Sequence, residues 1–210
     1  LRDLYARRGN VQLNYLGQVE SAIVSYQKVI EVDSQPQATA KILQDLCRQR
    51  GDWKPLVEAY ERRAETQKDP SRRADALRTA AALAHERTRN PRESMRLNRR
   101  LLEIDPADAG AALTLERYYE EQGDKSGLIN VLKMRLQHTS QGNESIELLK
   151  RIARVSEEGA RDVDTATEHY QKILELQPEN RDALDALSRI YESTEQWADL
   201  IDVTRKLIKV

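Results

Sequence analysis

Three histidines, one cysteine and a few adjacent carboxylates are the residues here whose types could do chemistry. His85, His138 and His169 share no short spacing and have no cysteine partner, so the two-plus-two patterns that hold zinc are absent. They are expected as surface or half-buried helix residues. Cys47 has no histidine at a suggestive distance to make it a nucleophile. It reads as a small core residue, and a single cysteine cannot form an internal disulfide. Glu120-Glu121 and Glu157-Glu158 are neighbours in sequence, and adjacent helical residues point about 100° apart. They cannot converge as an acid/base pair and read as solvated helix faces. With no Gly-rich phosphate loop and no nucleophile elbow, the expectation is a protein that is not an enzyme and needs no cofactor or metal.

These residues are placed by a repeat. The stretch from Tyr170 to Ile208 aligns without a gap on Asn98–Leu136, and the same shift carries it on to Tyr26–Ala64. Val29, Leu101 and Ile173 coincide, as do Glu31, Glu103 and Glu175, and Leu56, Leu128 and Leu200. Trp53 meets Trp197, with Lys125 between them. A fixed period of this kind signals a repeat array. The units run approximately 1–69, 70–141 and 142–210, and each divides into two hairpins of about 36 residues, the range of helix-turn-helix repeats.

Composition agrees with an all-α chain. It is 33% charged and 39% hydrophobic, with eight Gly, six Pro and no Phe, rich in helix formers and poor in strand-favouring clusters. Apolar residues recur at helical spacing, as in Leu184, Leu187, Ile190 and Tyr191. Twelve helices are predicted at 1–15, 18–33, 36–50, 53–67, 71–88, 91–104, 107–122, 125–138, 143–160, 163–176, 179–194 and 197–209. Asp69-Pro70, Asn90-Pro91 and Asp105-Pro106 place a capping side chain before a proline that suits a first helical turn. Pro55 is tolerable for the same reason, with Asp52 as its cap. Gly9 falls inside the first helix and is expected to permit close packing, since its partners are Ala81 and Ala153. The polar turn 138–143 is the most flexible-looking connection. The chain opens in mid-helix, which suggests an excerpt of a longer protein.

At this point the chain resembles the tetratricopeptide repeat family. Glu121-Gln122-Gly123-Asp124, following Leu115, Tyr118 and Tyr119, looks like that family's hairpin turn. Ala166, Tyr170 and Leu176-Gln177-Pro178 look like its second helix and closing proline. The likeness covers essentially the whole chain and implies a right-handed α-solenoid of about six hairpins. There are departures. Gln44, Glu116 and Ser188 stand where the family has a small Gly, and Leu56, Leu128 and Leu200 where it has a small Ala. The variant therefore alternates a tight hairpin (Ala22, Ser94, Ala166) with a wider one.

The family's first helices line a concave groove that binds peptides. Carried over by position, the groove would contain Lys41, Asp45, Arg48, Arg78, His85, Arg117, Glu120, Lys150, Arg154, Glu157, Asp185, Arg189 and Glu192. It would be polar and of mixed sign, without a carboxylate clamp. Trp53 and Trp197 are expected to plug hairpin corners rather than anchor a ligand.

Charge is the remaining signal. Overall it is −1, so no net field draws the chain to nucleic acid or membrane, and no apolar run could span a bilayer. Residues 62–100 nevertheless sum to +7 and residues 139–202 to −8. Three readings follow. The leading one is a protein-binding scaffold within a multiprotein assembly, expected to be cytoplasmic and, by analogy with long repeat proteins, bacterial. A nucleic-acid binder would use Arg72, Arg73, Arg89, Arg92, Arg96, Arg99 and Arg100, but a repeating basic track is missing. A spacer or self-association module is the third.

Overall fold

In the computed structural model all residues are described except Gln141, Arg161 and Val210, with Gly159 and Ala160 described by backbone alone. Among the described residues there are twelve α-helices and no strand. They are α1 (Arg2–Asn14), α2 (Val19–Val32), α3 (Gln37–Arg50), α4 (Lys54–Thr66), α5 (Pro70–Glu86), α6 (Pro91–Ile104), α7 (Ala109–Gln122), α8 (Lys125–His138), α9 (Asn143–Val155), α10 (Val163–Leu176), α11 (Arg181–Ser193) and α12 (Trp197–Leu207). A π-helical segment, Ser156–Ala160, prolongs α9 and completes the long helix expected over 143–160. The expected turn 138–143 has Gln141, outside the described residues, near its centre.

The caps at Asp69 and Asn90 are those the sequence announces, and two others differ. Asp69 accepts from the Ser71 N–H at 3.0 Å and Asn90 from Glu93 N–H at 3.2 Å, each just before a first-turn proline. At α4 the N-cap is Trp53, not Asp52, though Asp52 one residue earlier accepts from Lys54 N–H at 3.1 Å. Asp105, however, only closes α6. The cap of α7 is Asp108, accepting from Ala111 N–H at 2.7 Å, so Pro106 sits in the connection rather than in the helix. Its counterpart one period on, Asn180, caps α11 at 3.2 Å. These side chains satisfy N–H groups that have no partner inside the helix.

The repeat period is also visible in the backbone. Gly51, Gly123 and Glu195 occupy one register position, and all three adopt the left-handed conformation, with φ of 67°, 68° and 58°. Gly17 and Arg89 form a second such set, at 63° and 50°. Two turns are thus fixed by geometry in successive repeats, while glycine, which adopts it without a Cβ clash, is used in only some of them. Glu195→Gly should therefore stabilise the protein by about 0.5–1 kcal/mol, the left-handed penalty of a non-glycine residue less glycine's own entropy cost, raising the thermal midpoint by about 1–4 °C on a chain of this size. An unchanged or lower midpoint would mean that the turn is not under strain.

The chain divides into two compact units, Leu1–Thr114 and Leu115–Val210, a division inside α7 rather than at a repeat boundary. In the first, α2 packs against α1, α3 and α4, α4 against α5, and α5 against α6. The core gathers Ala22, Ile23, Tyr26, Ile30, Leu43, Cys47 and Leu56. Cys47 is fully buried, and burial pushes its thiol up to about 11, which makes it an inert core residue. Gly9 is required by close packing: a Cβ there would come within 2.8 Å of the Tyr26 ring. In the second unit α9 packs on α8 and α10, and α11 on α10 and α12, around Ile146, Leu149, Ala166, Tyr170, Ile173, Leu184, Leu187 and Tyr191. Ala22, Ser94 and Ala166, the small residues of the tight hairpins, are all buried. Hairpins whose turns and small-residue positions recur at one fixed period form a helical-repeat fold.

Candidate functional site

The positions expected to line a groove lie on α3, α5, α7, α9 and α11, and the helical spacing of three and four residues puts each set on one face. In the second unit some of these positions line a recess. α9 and its π-helical extension contribute Lys150, Arg154, Glu157 and Glu158, α10 contributes Tyr170, and α11 contributes Asp182, Asp185, Ala186 and Arg189. Its volume is about 290 Å³. Five of the thirteen expected groove residues (Lys150, Arg154, Glu157, Asp185 and Arg189) meet here.

Pairs that cross from α9 to α11 set the electrostatics of the recess. Lys150 Nζ lies 3.0 Å from Asp182 Oδ2, and Arg189 Nη1 3.2 Å from Glu157 Oε1. Tyr170 Oη donates to Glu157 Oε2 at 3.2 Å. Burial, reinforced by the adjoining Glu157 carboxylate, pushes the Tyr170 phenol up to about 12, so it remains a neutral donor at physiological pH. The hydrogen bond from Lys150 holds the exposed Asp182 carboxyl below its ordinary range. Arg154 and Asp185 are exposed, with Asp185 3.9 Å from Arg181. The arrangement can bind charge of both signs. Nothing in it resembles a nucleophile with its base, and among the described residues no three His, Cys, Asp or Glu side chains converge as metal ligands.

The other expected groove residues are distributed differently. Glu192 is exposed one turn beyond Arg189 on α11. On α7, Arg117 is exposed and Glu120 binds Arg151 at 2.5 Å. In the first unit Lys41, Asp45 and Arg48 are exposed on α3, with Asp45 and Arg48 paired at 3.5 Å. His85 is exposed on α5. Arg78 is held by Asp75 at 2.6 Å, Asp108 at 2.8 Å and Asp105 at 3.4 Å, so it ties α5 to the connection before α7 as well as facing solvent.

Sequence reasoning missed three features. Glu116 is 2% exposed and is gripped by Arg135 at 2.8 Å and by Arg151. Arg63 is buried against the carbonyls that end α2. His169 is buried rather than superficial; its Nδ1 lies 2.7 Å from the Thr165 carbonyl, and burial depresses its pKa. The two tryptophans also part company. Trp53 is half-buried beside the core with Arg87 over its ring at 5.1 Å, as a corner plug would be, whereas Trp197 is mostly exposed. A wider hollow of about 690 Å³ is formed by residues 176–182 alone. One turn makes it, and no other element brings chemistry to it.

No family model matches the sequence, and no curated protein matches it. The chain is similar to several solved structures. MamA is 17% identical with a TM-score of 0.43, over 79% of this chain and 92% of that one. A thermophilic TPR protein of Thermus thermophilus is 19% identical with a TM-score of 0.34, over 90% and 98%. The TPR2AB domain of yeast Sti1, in a complex with pHSP90, is 12% identical with a TM-score of 0.37, over 98% and 89%.

Proposed function

We propose that the chain is a non-catalytic scaffold that binds an extended protein segment carrying both acidic and basic residues. The observation that carries this reading is the recess between α9 and α11, where cationic and anionic side chains from two helices face one small volume. A cleft of mixed sign favours a peptide over a polyanion, because complementary charge fixes register and rejects uniformly charged partners. Arg117, Glu120 and Glu192 of the second unit would extend that contact, and Lys41, Asp45, Arg48, Arg78 and His85 would give the first unit a contact of its own.

The nucleic-acid alternative draws less support. Arg96 and Arg100 are spent on Glu61, and Arg100 also on Glu65 at 3.4 Å. Arg72 is paired with Asp69 at 3.7 Å. Much of the basic segment therefore neutralises its own neighbours. No helix among the described residues is long and apolar enough to cross a membrane.

The test is to screen a display library of short charged peptides against the 210-residue chain and measure the best binder by calorimetry. The double variant Arg154→Glu/Asp185→Lys should weaken binding about tenfold or more, since losing charge contacts at an interface costs more than about 1.4 kcal/mol. The control Lys41→Glu/Asp45→Lys should weaken it less. Equal affinity in parent and recess variant would place the binding surface elsewhere. Binding of mixed-sequence RNA with steep salt dependence would favour the alternative.

A further inference from the structure

The tight hairpins of the three repeats close in one register. Gln18 N–H donates to the Gln12 carbonyl at 2.8 Å, Asn90 N–H to that of Ala84 at 3.2 Å and Asp162 N–H to that of Ser156 at 3.1 Å. The period therefore superposes three pairs, each with one member on either helix of its hairpin: Gln12 with Ser25, Ala84 with Leu97, and Ser156 with His169. All of these side chains are buried. The first pair is polar and satisfied, Ser25 Oγ donating to Gln12 Oε1 at 2.7 Å. The second is apolar. The third is polar and incomplete: Ser156 Oγ is buried with no hydrogen-bond partner, alone in that among the described residues.

The neutral imidazole of His169 can complete that pair. Its Nδ1 lies 2.7 Å from the Thr165 carbonyl, which only accepts, so Nδ1 carries the proton and Nε2 of the neutral ring is left as an acceptor. A serine hydroxyl can donate to such a nitrogen. A second proton, on Nε2, would instead put a full charge into an interface from which water is excluded. The charged groups that act on the ring are Lys133 from α8 and, on its own helix, Asp162, Glu168 and Lys172. Glu168 is itself held by Lys172 at 2.5 Å, and Asp162 by Thr165. α9 and α11 contribute apolar residues to the core around α10, among them Ile146, Leu149, Ala153 and Leu184. The π-helical end of α9 offers Glu157, whose carboxylate is engaged by Tyr170 and Arg189. Burial, the largest influence, accordingly holds the His169 pKa below its ordinary 6.5, against the Thr165 bond, which raises it.

We propose that Ser156 and His169 form a proton-sensitive latch between the end of α9 and α10, closed while the imidazole is neutral and opened by acid. The sign follows from linkage. The opened form binds a proton that the closed form excludes, so the latch has its full strength above the ordinary histidine range and loses it as pH falls. Glu157 and Tyr170, the next residue on each side, line the recess and bond to each other at 3.2 Å, so acid loosens that wall too. The consequence for a ligand rests on the reading of the recess as a binding site; the latch itself does not.

Amide exchange followed by NMR on the 210-residue chain, corrected for the intrinsic pH dependence of exchange, tests the latch without any ligand. From about pH 7 to about pH 5.5, the range in which histidine changes charge, opening of α10 around Tyr170 and Ile173 should increase. The factor should approach about ten per pH unit, the slope of one linked proton, while α2 around Tyr26 stays level. Ser156→Ala/His169→Leu copies the apolar pair of the second repeat, and Ser156→Gln/His169→Ser the polar pair of the first. Both should fold by circular dichroism and abolish the response. Equal responses of α10 and α2 in the parent overturn the proposal, as does either folded variant that keeps the parent's response. So does a His169 ring proton in the parent that titrates at or above the ordinary histidine value, a readout that needs no variant.

Discussion

Replacing Glu116 by Ala should cost about 3 kcal/mol of stability, a large effect for a single carboxylate. The carboxylate is almost fully buried and its two oxygens are divided between Arg135 on α8 and Arg151 on α9. It therefore joins three helices of the second unit through one side chain. Removing it leaves two guanidinium groups facing a cavity, and an unpaired buried charge is costlier than the pair was stabilising. The loss is held near the lower end of the usual range because each arginine keeps a second carboxylate, Glu144 for Arg135 at 3.2 Å and Glu120 for Arg151 at 2.5 Å, and because both remain partly in water. Glu116→Gln should cost about half as much, since the amide keeps one acceptor; Gln44 fills the same register position. The third repeat has Ser188 and Leu207 at the corresponding pair of positions, which suggests the rescue. Glu116→Ser with Arg135→Leu should recover most of the loss, because a buried ion pair can be replaced by uncharged residues at little cost. Urea denaturation of the three variants decides the matter. A Glu116→Ala variant within about 0.5 kcal/mol of the parent, the scatter of ordinary surface substitutions, would mean that solvent already screens the triad.

The architecture was legible because a fixed period repeats every helix-forming signal, so that a weak one in one unit is corrected by its counterparts. Gly9 was readable as a packing glycine only because Ala81 and Ala153 stand in register with it. Asp105 misled because the Asp-Pro dipeptide is a good cap in isolation; Asp108, three residues on, captures the helix start through its bond to Ala111 N–H. The candidate recess was half legible. Helical spacing chose the faces on α9 and α11, yet it could not show that Arg78 would be consumed by three aspartates while Arg154 stayed exposed. Buried charge was not legible at all from type, since arginines usually lie in water. One signal was present: Arg63 and Arg135 share a register position, and the third repeat has Leu207 there. A position that alternates arginine with leucine points inward, with the charge serving a polar group there.

Arg63→Met should cost about 2–3 kcal/mol, and the reason is the end of α2, where buried carbonyls would lose their donors. The last carbonyls of a helix have no partner within it, and α2 ends in extended backbone at Asp33 rather than in a glycine cap. The Arg63 guanidinium takes that part, donating to the carbonyls of Ile30 at 2.9 Å, of Asp33, and of Ser34 at 3.4 Å. Its charge also faces the negative end of the helix dipole, a favourable placement for a cation. Burial pulls the Arg63 pKa down, but an arginine retains its proton in proteins, so it is a cation at every pH of interest. Methionine keeps most of the volume and none of the donors, leaving buried carbonyls unsatisfied, each at about 1 kcal/mol or more. Lysine supplies charge without the planar fork that reaches several oxygens at once, so Arg63→Lys should recover less than half. Amide exchange distinguishes this from a general loss of packing. The last turn of α2 should lose protection well before the buried middle of the helix around Tyr26. If the whole of α2 loses protection uniformly, Arg63 acts through packing of its stem, and the capping account fails.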